Sequence, residues 1–182
     1  MAATVKKNLY WLSSPDGTAP EVLSNQKIAA TQGILIPNSP MYLSTDGTWK
    51  VADTSDGSDK VNGLFVGLEN ADSTWPITAA LALNTEIRVL IIDPADSFAV
   101  YVETSGTDAA APQDIIGDEY GLTISTTVGQ VGYTTLDTGN AFGVVQVVQV
   151  FGNVEPVKFD LTTAPGVAVV RFLSTIVNKT KG

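Results

Sequence analysis

The chain contains neither cysteine nor histidine, so any chemistry it performs must come from carboxylates, hydroxyls, amides and indoles. Without cysteine there is no disulfide, no thiolate metal site and no thiol nucleophile. Without histidine, the commonest general base, the commonest zinc ligand and the usual switch near neutral pH are all missing. The Gly-x-Ser-x-Gly pattern of a serine nucleophile is also absent, and a serine here would have no histidine to activate it.

Two pairs of carboxylates are close enough in sequence for acid–base work on a glycosidic bond. Asp93 and Asp96 flank a turn, and Asp118 adjoins Glu119. Neither pair lies in a pattern that forces convergence or removes water, so both read as solvated turn residues. The stretch Asp53-Thr54-Ser55-Asp56-Gly57-Ser58-Asp59 has the oxygen-rich texture of a calcium loop. An EF-hand loop places a bidentate glutamate at its twelfth position, which counted from Asp53 is Leu64. The stretch therefore reads as an acidic hairpin loop. Val128-Gly129-Gln130-Val131-Gly132 precedes no Lys-Ser or Lys-Thr pair and so lacks the parts of a phosphate loop. Thr123, Ser125, Thr126 and Thr127 fit β propensity better than catalysis. Trp11, Trp49 and Trp75 read first as core, then as protein-interface anchors, then as a sugar-stacking surface. The expectation is a protein that is not an enzyme, with no catalytic residue, no metal site and no cofactor.

The chain has 182 residues, 44% hydrophobic and only 16% charged, with a formal net charge of −9. That length suits one medium domain, or one domain plus an arm. Between Val61 and Val157 the only cation is Arg88, against twelve Asp and Glu. The cations gather near the ends, as Lys6 and Lys7 and as Lys179 and Lys181. Clustered Lys and Arg able to track phosphates are missing, which argues against a nucleic-acid partner. The acidic surface serves solubility; the sharper reading is that the basic ends dock on an acidic partner. No apolar run reaches the length of a membrane helix, and the first residues lack the apolar stretch of a secretion signal. The expectation is synthesis in the cytoplasm without processing.

The elements that must position these residues read as strands. From Gly33 onward, short β-branched and apolar runs alternate with Gly, Pro, Asp and Asn at the spacing of a sandwich or barrel. Residues 41–44 lead into Asp46-Gly47 and residues 48–52 leave it, the signal of a hairpin with a type I′ turn. Residues 61–68 form a strand in which Gly63 and Gly67 mark bulges or close approaches. Strands follow at 86–92, stopped by Asp93-Pro94, and at 98–103, whose two apolar faces indicate cover on both sides. The last strong strands are 141–151 and 167–173. Phe65, Phe98, Phe142, Phe151 and Phe172 are expected to hold the core. The only helical candidates, 77–83 and 112–117, are short. The fold class is all-β, a sandwich or barrel of about nine or ten strands. Residues 1–30 have weak periodicity around Ser13-Ser14-Pro15-Asp16-Gly17-Thr18-Ala19-Pro20. They are assigned as an extended N-terminal arm on a single β domain of residues 31–182, with a first edge strand followed by a loop as the alternative.

The order of the pieces resembles the head decoration (cement) proteins of tailed bacteriophages. The likeness begins with Gly33-Ile34-Leu35-Ile36, then Pro40-Met41-Tyr42-Leu43, the Asp46-Gly47 turn, and Gly63-Leu64-Phe65-Val66-Gly67. It continues through residues 87–100, a strand, Asp93-Pro94, and Phe98-Ala99-Val100. Ile116-Gly117-Asp118-Glu119-Tyr120, Gly129-Gln130 and Leu136-Asp137 extend it, and it covers about residues 33–173. The resemblance implies a β-rich virion protein, made in the host cytoplasm, on the outer surface of an icosahedral head. There it would clamp major capsid subunits, as a homotrimer, with no nucleic-acid or membrane contact. Lys6, Lys7, Tyr10 and Trp11 are the expected partner contacts. A tail or head-fibre protein, and a carbohydrate-binding or adhesin module, are the alternatives.

Overall fold

The computed structural model describes residues 9–30, 35–52, 54, 60–70, 77, 80–102, 115–124, 134–137, 143–151 and 167–177. They form eleven strands: β1 (Tyr10–Ser13), β2 (Val22–Lys27), β3 (Pro40–Leu43), β4 (Trp49–Val51), β5 (Gly63–Leu68), β6 (Glu86–Ile91), β7 (Ser97–Val102), β8 (Glu119–Ile124), β9 (Thr134–Asp137), β10 (Val145–Phe151) and β11 (Val167–Phe172). No helix occurs among the described residues. Within the two helical candidates, 77–83 and 112–117, the described residues hold a bridge between Ile77 and Leu35 and turns at 83–84 and 115–117.

The strands make two sheets. The larger has the order β1-β7-β11-β10-β8-β9, and the smaller has the order β2-β6-β5-β3-β4. All pairings between named strands are antiparallel except β7–β9. In that parallel contact Tyr101 meets Thr135 and Val102 meets Leu136. It joins the last strand of the larger sheet back to its second strand, so five strands close into a ring. The smaller sheet curls in the same way. Just beyond β2, Ile28 bridges Trp49 of β4, and the Ala29 amide donates to the Trp49 carbonyl at 2.9 Å. Closure matters because an open edge presents unpaired backbone groups to any other strand.

Alternation along the strands sorts side chains into two cores. The larger core takes Phe98 and Val100 from β7, Leu122, Leu136, Val145, Val147, Ala168, Val170 and Phe172, together with Leu64 of β5 and Ile92. The smaller takes Ile28, Leu35, Met41, Trp49, Phe65, Ile87 and Val89. Leu64 and Phe65 thus point to opposite cores, so the smaller sheet is covered on both faces. On β10 a register shift between Val147 and Gln149 changes the parity, which brings Val150 back against the larger core. The Phe98 and Phe172 rings meet edge-on, centroids 5.4 Å apart at 84°, a favoured aromatic geometry. Phe65, Phe98 and Phe172 are buried as expected. Phe142 lies outside the described residues, as does the side chain of Phe151.

Both strand glycines have the reasons the spacing suggests. The ladder shifts register between Phe65 and Gly67, a bulge. At Gly63 a Cβ would stand 2.5 Å from Val89 Cγ1 and 2.6 Å from the Leu90 carbonyl oxygen. The Asp46-Gly47 turn differs from the type I′ expectation. Only Gly47 has a positive φ, of 79°, its amide donates to the Ser44 carbonyl at 3.0 Å, and the Ser44 amide donates to the Thr48 carbonyl at 2.9 Å. Asp46 Oδ1 accepts from the Thr48 amide at 2.9 Å and from its hydroxyl at 2.6 Å. Those bonds hold Asp46 in ordinary backbone space and leave the left-handed residue to glycine, as in a three-residue hairpin loop with a glycine bulge.

The segment assigned as an arm is extended, and over residues 9–28 it lies within the sheets. Tyr10 pairs with Ala99, Trp11 with Phe98 and Ser13 with Ser97; Val22 pairs with Leu90, Leu23 with Val89, Gln26 with Ile87 and Lys27 with Glu86. Leu9 and Ile28 are fully buried. Residues 10–27 and 86–99 are therefore one long antiparallel ribbon that begins in the larger sheet and ends in the smaller. The pairing follows the edge-strand alternative; residues 1–8 lie outside the described residues. Two further ties join the sheets. Thr54 gives its hydroxyl to the Leu122 carbonyl at 2.8 Å. Lys60 Nζ donates to the Thr175 carbonyl at 2.6 Å while Val61 bridges Val177.

Candidate functional site

The residues with the most chemistry lie where the ribbon turns from one sheet to the other. One side of this corner is the β1–β2 connection, the other the β6–β7 connection. On the first side, residues 14–18 repeat the turn seen at 44–48. The Gly17 amide donates to the Ser14 carbonyl at 3.1 Å, and Gly17 has a φ of 73°. Asp16 Oδ1 accepts from the Ser14 hydroxyl at 2.7 Å, the Thr18 hydroxyl at 2.7 Å and the Thr18 amide at 2.9 Å. Those donors, Ser14 first and then Thr18, draw the Asp16 carboxyl down to about 2.

On the second side, Asp93 organises the tight connection. Its Oδ1 accepts from the Ala95 amide at 2.9 Å, and its carbonyl accepts from the Asp96 amide at 2.9 Å. Asp93 is exposed, as the sequence suggests, whereas Asp96 is only 3% exposed. The reading of both as solvated turn residues is corrected at Asp96: antiparallel pairing of β1 with β7 lays the 14–18 turn over it. Burial raises the Asp96 carboxyl, and the charges of Asp93 and Asp16 add to the rise, while hydrogen bonds with Ser14 and the Asp93 backbone oppose it. Arg171, next door on β11, directs its Nε–H to the Ser97 hydroxyl at 3.4 Å.

The other candidates stay apart. Asp118 and Glu119 are exposed. The Tyr120 hydroxyl donates to Asp118 Oδ2 at 3.3 Å, and burial, followed by the Asp118 charge, raises its phenol. Of the expected contact residues, Lys6 and Lys7 lie outside the described residues, as does the side chain of Tyr10. Trp11 is half-buried against the larger core, and its indole N–H meets no acceptor among the described residues. Trp49 is buried in the smaller core and donates to Gln26 Oε1 at 3.1 Å; Trp75 lies outside the described residues. In the loop 53–59 only Thr54 is described, and it serves as a tie between sheets. Among the described residues no three His, Cys, Asp or Glu side chains are grouped to hold a metal ion.

Sequence reasoning named Asp93 and Asp96 but missed Ser14, Asp16 and Thr18 as their neighbours. The signal available was the breaker-rich run at 13–20 beside the Asp-Pro stop of a strand. Their meeting depends on the β1–β7 register, which no local pattern encodes. No protein-family model matches the chain, and no curated protein matches it.

Proposed function

We propose that the protein is a structural component of a tailed-phage virion, a decoration protein that binds the outer face of the major capsid protein and stabilises the head. The observation that carries this reading is where the resembling pieces fall. The run from Pro40 to Val100 is β3, β4, β5, β6 and β7, which passes from the smaller sheet into the larger and contributes to both cores. The likeness therefore follows one folded unit. The curled sheets support the reading as well, because their edges are largely used internally and faces and loops remain for a partner. A clamp of this kind, bound to many lattice sites, adds its association free energy to the assembled shell. The contacts proposed on the chain are Lys6, Lys7, Tyr10 and Trp11, and the proposed assembly on the head is a homotrimer.

The test adds the purified protein to undecorated heads built from the major capsid protein of the same genome. Occupancy is read by electron microscopy and protection by heat-induced genome release. The proposal expects saturable occupancy on the outer face and release at higher temperature. Absence of binding to heads, with binding instead to tails or to a glycan array, would replace it with one of the two alternatives.

A further inference from the structure

Asn62 and Gly63 are the chain's one Asn-Gly pair, and the fold makes use of both members. Gly63 opens β5, and a Cβ on it would stand 2.5 Å from Val89 Cγ1 and 2.6 Å from the Leu90 carbonyl oxygen, so the position suits glycine alone. Asn62 is only 4% exposed and lies between β3 and the end of β6. Its amide donates to the Met41 carbonyl at 2.8 Å, and its side-chain Oδ1 accepts from the Leu43 amide at 2.9 Å, both on β3. On the other side its carbonyl accepts from the Ile92 amide, just past β6, at 3.2 Å. One residue earlier, the Val61 amide donates to the Ile176 carbonyl at 3.1 Å. The main chain and the side chain of Asn62 are therefore both held in place.

The same pair is chemically fragile once that hold is gone. Glycine puts no side chain beside its amide nitrogen, so in a free chain the Gly63 nitrogen can reach Asn62 Cγ. It bonds to Cγ as it gives up its proton, the Cγ–Nδ2 bond breaks, and ammonia leaves with that proton. Water then opens the cyclic imide. Opening at Cγ gives aspartate; opening at the other carbonyl gives isoaspartate, whose main chain runs through Cγ. We propose that Asn62-Gly63 is a deamidation site open only in the unfolded chain, and that isoaspartate at position 62 bars the chain from the fold. In that product the former Oδ1 belongs to the main chain and the former carbonyl becomes a free carboxylate. The oxygens that accept from Leu43 and Ile92 thus exchange roles, and an extra backbone carbon stands before Gly63, where close packing leaves no slack. A buried anion also replaces a neutral peptide carbonyl. A chain that stays unfolded is withdrawn irreversibly, while a folded chain is spared. The device is independent of the proposed place on a phage head.

The test holds the full chain at one mildly alkaline pH and one temperature, either folded or unfolded in guanidinium, and follows Asn62 by peptide mass spectrometry. Deamidation there is expected to be slower by about a hundredfold or more in the folded chain, because a strand in the core opens rarely. Comparable rates in the two states would overturn the proposal. Samples aged in guanidinium are then diluted into native buffer, and gel filtration separates refolded from unrefolded chain. Isoaspartate at position 62 is expected to be lost from the refolded fraction and concentrated in the remainder. Equal isoaspartate in both fractions would overturn the exclusion from the fold. Both readings are made on the wild-type sequence, so no variant has to fold, and the rate comparison stands even where dilution recovers little folded chain.

Discussion

Two turns in this molecule share a five-residue pattern, Ser-x-Asp-Gly-Thr, at residues 14–18 and 44–48. Both place glycine in left-handed space, at φ 73° and 79°, and both fold the threonine amide and hydroxyl onto the aspartate. Both carboxyls are lowered, Asp16 first by the Ser14 hydroxyl and then by Thr18, and Asp46 first by Thr48. Yet the first joins strands in different sheets and the second joins two strands of one sheet. The 44–48 turn ends a hairpin and projects its aspartate beside Lys50. The 14–18 turn lies over a buried carboxyl. Turn chemistry is therefore local, while what a turn joins is set by the apolar residues flanking it: Leu9 before the first turn belongs to the larger core and Ile28 after it to the smaller.

The largest effect separating the two regions should come from beneath the corner. Phe98 pairs with Trp11 and stacks edge-on with Phe172; Phe98→Ala is expected to cost about 3–5 kcal/mol in denaturant unfolding. A loss below about 1 kcal/mol would show that the ribbon does not depend on this core.

On the hairpin side, Gly63→Ala forces a Cβ against Val89 and the Leu90 carbonyl and is expected to destabilise by about 1–3 kcal/mol. At Gly67 a Cβ meets only the movable tip of Arg88 at 3.3 Å, so Gly67→Ala should fall within about 1 kcal/mol. Comparable melting of the two variants would remove the distinction between close approach and bulge.

The turns themselves provide a smaller and more symmetrical comparison. Gly17→Ala and Gly47→Ala have open space for the new Cβ but the wrong sign of φ. Each should cost about 1–2 kcal/mol. A clearly larger loss at Gly17 would measure what the corner adds to an otherwise equivalent turn.

The smallest effects are expected in the pH profile, where they differ in sign. Asp16 and Asp46 are lowered in the folded state, so what they contribute is present above the ordinary aspartate pKa and is lost as acid protonates them, for Asp16 down to about 2. Asp16→Asn and Asp46→Asn should each flatten the acid limb of a melting-temperature profile. An acid limb left unchanged by both substitutions would show that the threonine donors do not hold these carboxylates ionised in solution.

Much of the fold is legible in the residues. The apolar and β-branched runs at 41–43, 87–92 and 167–173 each mark a strand. Asp46-Gly47 marks a turn, although the aspartate–threonine bonds that select its type require the side chains in place. β2 was illegible because its burial is weak on both faces, its ladder is bulged, and Asn25 takes a φ of 54°. The corner was legible only as separate halves. Nothing in the spacing of Ser14 or Asp96 states that they meet, because that depends on a pairing across more than eighty residues. The closing contacts β7–β9 and Ile28–Trp49 were hidden for the same reason.

The central claim is that residues 10–27 belong to the fold, as a ribbon joining two sheets. A chain starting at Ile28 tests it most directly, through heat unfolding followed by circular dichroism beside the full-length protein. The account predicts that the truncated chain loses its cooperative transition or melts far lower, because it lacks a strand from each sheet and the cover of Asp96. An unchanged β spectrum with an unchanged cooperative melt would contradict the account and make the segment a docking arm.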